Sequence, residues 1–292
     1  MTEFIEAVRQ QPFLQTALLT GVLSSVACGV VGSYVVVRRI TYIAGGIAHC
    51  VLGGLGAARY LAVEHGWRYY HPLHGWAPLH PLIGAVVAAL LAAVIIAVVS
   101  LRGRQREDTV IGALWAIGMA TGVLFISKTS GYQVDLMSYL FGNIVFVSWD
   151  DVRLMALLDA VILGAVLVFH KRFLALCLDE EQAQLQGVDL LRTNIALLCV
   201  VALTVIVLTQ VVGLILVIAL LSLPAATAAH HVSRMGPLIL ASTGICAVLT
   251  TAPRMAAYGT AVTPEAAIVL AAAGLYLLSV LATRLRGRRG KD

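Results

Sequence analysis

The residues of this chain best suited to chemistry are histidines and acids inside or beside apolar runs. His49 is flanked by glycines within one such run, and Asp135 begins a short apolar segment. Ionisable side chains are costly in lipid, so those inside a membrane are by default candidates for an ion pathway. An imidazole nitrogen and a carboxylate oxygen are together suitable ligands for zinc or manganese. The alternative is structural, with a hydrogen-bonded packing histidine and a helix-capping aspartate.

Three more ionisable residues, Asp159 and the adjacent His230 and His231, lie within or at the edge of apolar runs. The two histidines stand close to Arg234 at the predicted cytoplasmic end of a helix, where imidazoles stabilise a helix C-terminus. We therefore interpret the histidine pair as structural.

Residues 64–80 hold half of the chain's eight histidines, among several aromatic residues. These histidines are His65, His71, His74 and His80. Neutral imidazole is a common zinc ligand, and His71 and His74, three residues apart, are able to share one ion. Pro72 and Pro78 oppose a helix here, and aromatic residues are typical of a membrane interface. The segment is either a loop that captures metal transiently or a wet interfacial loop.

A polar, acidic segment at residues 174–192 interrupts the apolar sequence. Asp179, Glu180 and Glu181 begin its central part, and Gly187 follows it. Acids favour the start of a helix and glycine its end, so the pattern predicts a short amphipathic helix. Such a helix is able to lie on the cytoplasmic face and dock into the groove of a partner.

The composition requires a polytopic membrane protein. Hydrophobic residues make up 60% of the chain and charged residues 12%, and the mean hydropathy is +0.92. A soluble domain has too little interior for so many apolar residues. The net charge of +5 comes from basic clusters between and after apolar runs. These clusters indicate topology and not nucleic-acid binding.

The apolar runs predict an all-α fold of about nine transmembrane helices in one domain, residues 1–292. Eight spans are the alternative, because the first segment and the turn at residues 210–212 are weakly defined. The predicted spans are residues 13–37, 40–63, 81–101, 109–127, 152–169, 195–210, 214–229, 236–251 and 264–281. Arginines after the first and third spans place those ends in the cytoplasm and residues 64–80 outside. The same rule predicts an external N-terminus, with residues 1–12 as an interfacial segment, and a basic cytoplasmic tail at residues 284–292.

Residues 135–149 are apolar but short for a crossing. If they crossed, the acidic segment would face outward, against the preference of the neighbouring Lys171 and Arg172. We therefore predict a short or re-entrant helix on the external side, of the kind that lines a cavity.

Enzyme motifs are absent from the sequence. It contains no GxxxxGK[ST], GxSxG or HExxH pattern, so the chain is predicted not to be an enzyme and not to bind ATP in the P-loop manner. Its five cysteines are scattered without CxxC spacing, which favours reduced, buried thiols. No cleavable signal peptide is apparent at the start.

Four sequence runs carry a resemblance that covers nearly the whole chain. They are VVGSYVVVRRITYIAGGIAHCVLGG, EDTVIGALWAIGMATGVLFIS, VDLMSYLFGNIVFVS and VGLILVIALLSLPAATA. In this order they resemble the membrane permease subunits of bacterial ABC importers for zinc, manganese and iron. The resemblance implies a homodimer in the inner membrane, with cytoplasmic ATPase subunits and an extracytoplasmic metal-binding protein. It implies transported divalent metal and no tightly bound cofactor.

The resemblance also implies roles for particular residues. His49 matches the pathway histidine of the second helix, and Asp135 matches the acid before the FGN turn. The acidic segment matches the coupling segment that seats in the ATPase. Glu180, Ala183 and Gly187 stand at its acidic, small and glycine positions.

Two departures from the family pattern concern the ligands. Many members have an aspartate where this chain has Gly45, and another near Val262, where this chain has TAVTP followed by Glu265. Fewer oxygen ligands favour zinc, with manganese or iron next. The alternative function is a secondary transporter or channel for a small cation that works without an ATPase. Such transporters usually show inverted repeats, and no convincing repeat is found here.

Overall fold

The computed structural model describes residues 11–71, 75–102, 107–130, 147–257 and 263–289. Within these residues the fold is helical apart from one small β-hairpin, which confirms the all-α class. The elements in chain order are α1 (Pro12–Val37), α2 (Thr41–Glu64), β1 (Arg68–His71), β2 (Gly75–Pro78), α3 (Pro81–Arg102), α4 (Glu107–Lys128), α5 (Trp149–Leu178), α6 (Glu180–Leu185), α7 (Leu190–Val211), α8 (Leu214–Ala229), α9 (Met235–Ala257) and α10 (Pro264–Arg289).

Nine long helices within the described residues match the nine predicted spans. Eight of them are long and apolar enough to cross a membrane. The ninth, α8, has 16 residues. At 1.5 Å per residue it extends about 24 Å, which is less than a hydrocarbon core of about 30 Å. The predicted interfacial segment 1–12 and the predicted external helix 135–149 fall almost entirely outside the described residues.

The fifth helix extends beyond the predicted span, which ends at residue 169. Helix α5 runs over Trp149–Leu178 and takes in the first residues of the predicted coupling segment. The charges at residues 170–172 mark a membrane boundary, but lysine and arginine are good helix formers and do not end a helix. The helix stops before Asp179, whose backbone is extended at φ −156°.

One of the chain's two compact units contains α1, the first part of α5 and α8–α10. Helix α8 contacts α1, α9 and α10, and most of its residues are buried. Helix α8 is short for a bilayer. Packing against three helices keeps the unpaired backbone groups at its ends away from lipid.

Small residues bring α1 close to its neighbours in this unit. A side chain at Gly29 would collide with the backbone of Thr243 in α9, and one at Gly32 with the carbonyl of Leu221 in α8. Further along α9, the Thr250 hydroxyl donates to the Gly21 carbonyl at 3.3 Å. Such contacts stabilise helix packing in lipid, where apolar side chains gain nothing by leaving the tails.

The second unit contains α2–α4, the hairpin, the end of α5, α6 and most of α7. Glycines of α2 face α3 on one side and α4 on the other. A Cβ at Gly54 would collide with the carbonyl of Gly84 in α3. A Cβ at Gly53 would lie 2.9 Å from the carbonyl oxygen of Gly118 in α4. The glycine-rich sequence of α2 therefore permits backbone contact with two helices at once.

The segment predicted as a loop contains an antiparallel β-hairpin. Arg68 pairs with Pro78, Tyr69 with Ala77, Tyr70 with Trp76 and His71 with Gly75. The prediction missed it because two prolines pointed to an irregular loop. The aromatic residues favour strands, and Pro78 stands at the end of β2, where a missing N–H is tolerated.

Candidate metal pathway and coupling segment

His49 lies in the middle of α2, with a side chain that is only 8% exposed. Its ring stacks on the indole of Trp115 in α4, with 4.3 Å between the ring centroids and 24° between the planes. Tyr42 lies against the same indole at 5.7 Å. The stacking therefore positions the imidazole at the interface between α2 and α4, within one unit.

Close packing of α2 on α4 fixes the backbone at His49. A Cβ at Gly118 would lie 2.7 Å from the His49 carbonyl oxygen and 2.8 Å from the Cys50 Cα. The Cys50 thiol in turn donates to the Leu114 carbonyl at 3.4 Å. Since only glycine fits at residue 118, the helix contact and the position of the imidazole depend on the same residue.

The Nδ1 atom of His49 is buried and has no hydrogen-bond partner among the described residues. A buried polar atom without a partner is unfavourable, and a bound cation would remove that cost. No group of three or more histidine, cysteine or acidic side chains gathers into a metal site in the described part of the chain. His49 therefore contributes a single nitrogen there. Asp135, its predicted partner, lies outside the described residues, so their pairing stays a prediction.

The histidines of residues 64–80 are not brought together in the described ranges. His65 packs against Tyr60 at 5.3 Å between ring centroids. The Nδ1 of His80 accepts the Leu82 N–H at 3.2 Å, at the start of α3. His71 ends a strand, so the three-residue spacing to His74 is not a helical one. His74 itself lies outside the described residues, and metal capture by this segment stays a prediction.

The predicted helix in the acidic segment is present as α6. Asp179 caps it, its side chain accepting the Gln182 N–H at 3.1 Å. At the other end Gly187 donates to the Gln184 carbonyl and Val188 to the Ala183 carbonyl. This is a Schellman motif, and it places Gly187 at φ 80°. The sequence prediction of an acidic start and a glycine stop is confirmed.

The three predicted coupling residues differ in their environment. Glu180 and Gly187 are exposed, whereas Ala183 is 1% exposed. Two large apolar side chains near them, Leu178 and Leu185, are 72% and 88% exposed. These two side chains are available for contact with a partner.

Several buried groups were missed or left aside by sequence reasoning. Trp115 was not recognised, because nothing in GALWAIG shows which residue an aromatic ring will face. Both carboxylate oxygens of Asp159 are buried without a hydrogen-bond partner among the described residues. Arg254 of α9 donates to the Ala17 carbonyl and interacts electrostatically with Glu265 of α10. An arginine inside an apolar run was the available signal.

The histidine pair occupies the end of α8, as predicted, and contacts α10. The Ser279 hydroxyl lies 3.1 Å from His230 Nδ1 and 3.0 Å from His231 Nε2. Both imidazoles are exposed, whereas Ser279 is buried.

Comparison with known proteins gives consistent matches over the whole length. Residues 10–283 match the ABC 3 transport family. An uncharacterized membrane protein of Synechocystis is 36% identical over 96% of this chain and 94% of its own length. The manganese transport system membrane protein MntC of Halalkalibacterium halodurans is 28% identical over 100% of this chain and 97% of its own.

The fold also matches a solved structure. A chain of PsaBC from Streptococcus pneumoniae in complex with Fab superposes with a TM-score of 0.81 at 30% identity, over 95% of this chain and 94% of that one. The match confirms the helical membrane fold and the resemblance seen in the four sequence runs. The chain therefore belongs to the ABC 3 transport family, among the membrane permeases of bacterial metal ABC importers.

Proposed function

We propose that this permease carries divalent transition metal ions inward through an ATP-driven importer, with His49 as a ligand in its pathway. The observation that supports this role is the Nδ1 of His49, which is buried and has no hydrogen-bond partner among the described residues. A neutral imidazole held by stacking on Trp115 is preorganised to bind a cation without rearrangement.

One imidazole does not complete the coordination of a transition metal. The remaining ligands have to come from Asp135, from water or from a second copy of the chain. A homodimer around a central pathway would supply two His49 nitrogens to one ion. This arrangement would also compensate for Gly45, at which many family members carry an aspartate.

Zinc is the ion that the ligand pattern favours. Imidazole suits zinc, whereas manganese prefers carboxylate and other oxygen ligands, and two such carboxylates are replaced in this chain. Manganese is the second candidate, since MntC, at 28% identity, is a manganese transport protein by name. Competition separates them: unlabelled zinc should displace radioactive manganese from uptake at lower concentration than manganese displaces radioactive zinc. The reverse order would assign manganese.

The cytoplasmic partner of α6 is proposed to be the ATPase. The Schellman turn makes α6 rigid, and the exposed Leu178 and Leu185 offer an apolar contact beside acidic residues. Closure of the ATPase subunits would move this segment together with α5 and α7, the helices that precede and follow it. An extracytoplasmic binding protein would deliver the ion on the opposite side.

Energy coupling tests the proposed function against a secondary transporter. The permease is reconstituted with its ATPase in liposomes, and metal uptake is measured with ATP and an ionophore that removes ion gradients. We expect uptake to require ATP and to persist without gradients. Uptake that continues without the ATPase and stops with the ionophore would assign a secondary transporter.

A further inference from the structure

The consecutive histidines at the end of α8 place two ring nitrogens around one oxygen. His230 Nδ1 and His231 Nε2 lie 3.1 and 3.0 Å from the Ser279 hydroxyl oxygen. The chain leaves the helix in a turn here, which lets neighbouring side chains reach the same atom. A helix cap does not require this convergence, because interaction with the helix end needs only one imidazole.

Two residues of α10, Tyr276 and Ser279, position the imidazoles. Tyr276 stacks on the His230 ring at 5.5 Å between centroids and 25° between planes. Ser279 is 7% exposed. Both imidazoles are nevertheless exposed, so an ion in water is able to reach them.

The spacing suits a small divalent ion. In a tetrahedral zinc site with bonds of about 2.0–2.1 Å, neighbouring donor atoms are about 3.3–3.4 Å apart. The two nitrogen-to-oxygen distances are those of hydrogen bonds to the Ser279 hydroxyl, and they are slightly shorter than this. A small outward movement of the rings would therefore admit an ion to two imidazoles and a hydroxyl, with water completing the coordination.

Two charges near these residues have opposite effects on cation binding. The end of α8 carries the negative pole of the helix dipole, which favours a cation. Arg234, in the following turn, disfavours one, although it is exposed and therefore screened. The donor set contains no carboxylate, so we expect weak binding. The site would then fill when the metal has accumulated and stay empty when the metal is scarce.

We propose that His230, His231 and Ser279 form a second metal site, on the cytoplasmic side, at which the imported divalent ion binds and slows further import. The identity of the bound ion rests on the proposed function, but the residues that would bind it are independent of His49. An ion held here joins α8 to α10. Because α8 contacts three helices of its unit, joining it to α10 opposes rearrangement of the helices within that unit during transport.

Metal protection of the two rings tests the site in the unmodified protein. The full-length permease in lipid nanodiscs is treated with diethylpyrocarbonate, which acylates free imidazole, with and without zinc sulfate, and each histidine is quantified by mass spectrometry. With zinc tenfold above its dissociation constant, modification of His230 and His231 should fall about tenfold. His170, which is not part of the site, is the internal reference. Equal modification with and without zinc would overturn the proposal.

Variants test whether the bound ion affects transport. We compare H230Q/H231Q with H170Q, all expressed from a constitutive promoter, and measure initial zinc uptake in cells preloaded with low or high zinc. Preloading should slow the wild type and H170Q but not the double variant. Slowing of the double variant to the same extent would remove the proposed feedback. Absence of uptake in every protein would instead contradict the proposed function, while the protection experiment would still report on the site.

Discussion

His49 owes its position to two neighbours on α4, one aromatic and one without a side chain. Trp115 holds the ring by stacking, and Gly118 lets the two backbones meet. The imidazole is thereby fixed while its Nδ1 lacks a partner among the described residues. A packing histidine would instead be expected to hydrogen-bond through that atom.

Replacement of His49 by alanine should strongly reduce metal uptake while leaving the fold intact. The substitution removes the nitrogen proposed to bind the ion, and it breaks no hydrogen bond of Nδ1 to the described residues. Uptake of radioactive zinc at limiting concentration should fall at least about tenfold, by analogy with the loss caused by removing a metal-site residue. W115F keeps an aromatic face for the ring and should retain most uptake.

Two measurements complete that comparison. Expression and size-exclusion behaviour should match the wild type for both variants. An H49A permease that folds and still takes up zinc at the normal rate would exclude His49 from the pathway.

The sequence identified His49 but not its setting. An ionisable residue in an apolar run can be recognised from the sequence. Its contact with α4 depends on how the two helices pack. The same limit applies to Ser279, a single serine in an apolar helix whose contact with two distant histidines exists only in the folded chain.

At the scale of elements, helix positions were largely predictable, because apolar runs and basic clusters follow from the bilayer itself. The α6 helix was predicted from its acids and Gly187. The end of α5 and the hairpin were not, since charge marks the membrane boundary and not the helix end, and strand pairing depends on contacts that no local pattern contains.

The contact between α2 and α4 should not tolerate a methyl group at Gly118. G118A would place Cβ within 2.7–2.8 Å of the backbone of His49 and Cys50, and overpacking of this kind costs about 1–3 kcal/mol. Thermal unfolding in detergent should therefore occur at a lower temperature. In α5, a Cβ at Gly164 meets no described residue within 4 Å, so G164A should be neutral or stabilising. Equal unfolding temperatures of G118A and the wild type would show that these helices have room to separate.

We expect Gly187 to be required because of its backbone conformation, and not because a side chain there would collide with a neighbour. Its φ is 80°, while a side chain there would meet nothing within 4 Å. A β-branched residue in this region is strained, whereas asparagine tolerates it. We expect G187V to lose stable association with the ATPase during co-purification and G187N to retain it. Loss in both variants would indicate instead that the partner contacts the glycine directly.

For the whole molecule, the predicted topology fixes which ends of the helices meet which partners. A metal-binding protein outside and an ATPase inside require the hairpin and α6 to lie on opposite sides of the membrane. The basic clusters support that arrangement, and α3, α4 and α5 separate the two segments. Three crossings place them on opposite sides, provided that the segment between α4 and α5 does not cross as well.

Cysteine labelling on intact cells tests this arrangement directly. Leu185 in α6 is 88% exposed and Trp67 before the hairpin is 56% exposed, so a cysteine at either position is reachable from water. A membrane-impermeant maleimide should label W67C in intact cells and L185C only after the membrane is opened. The wild type, with its native cysteines, gives the background. Labelling of both variants in intact cells would mean that the chain crosses once more between α4 and α5, and α6 would then be unable to reach a cytoplasmic ATPase.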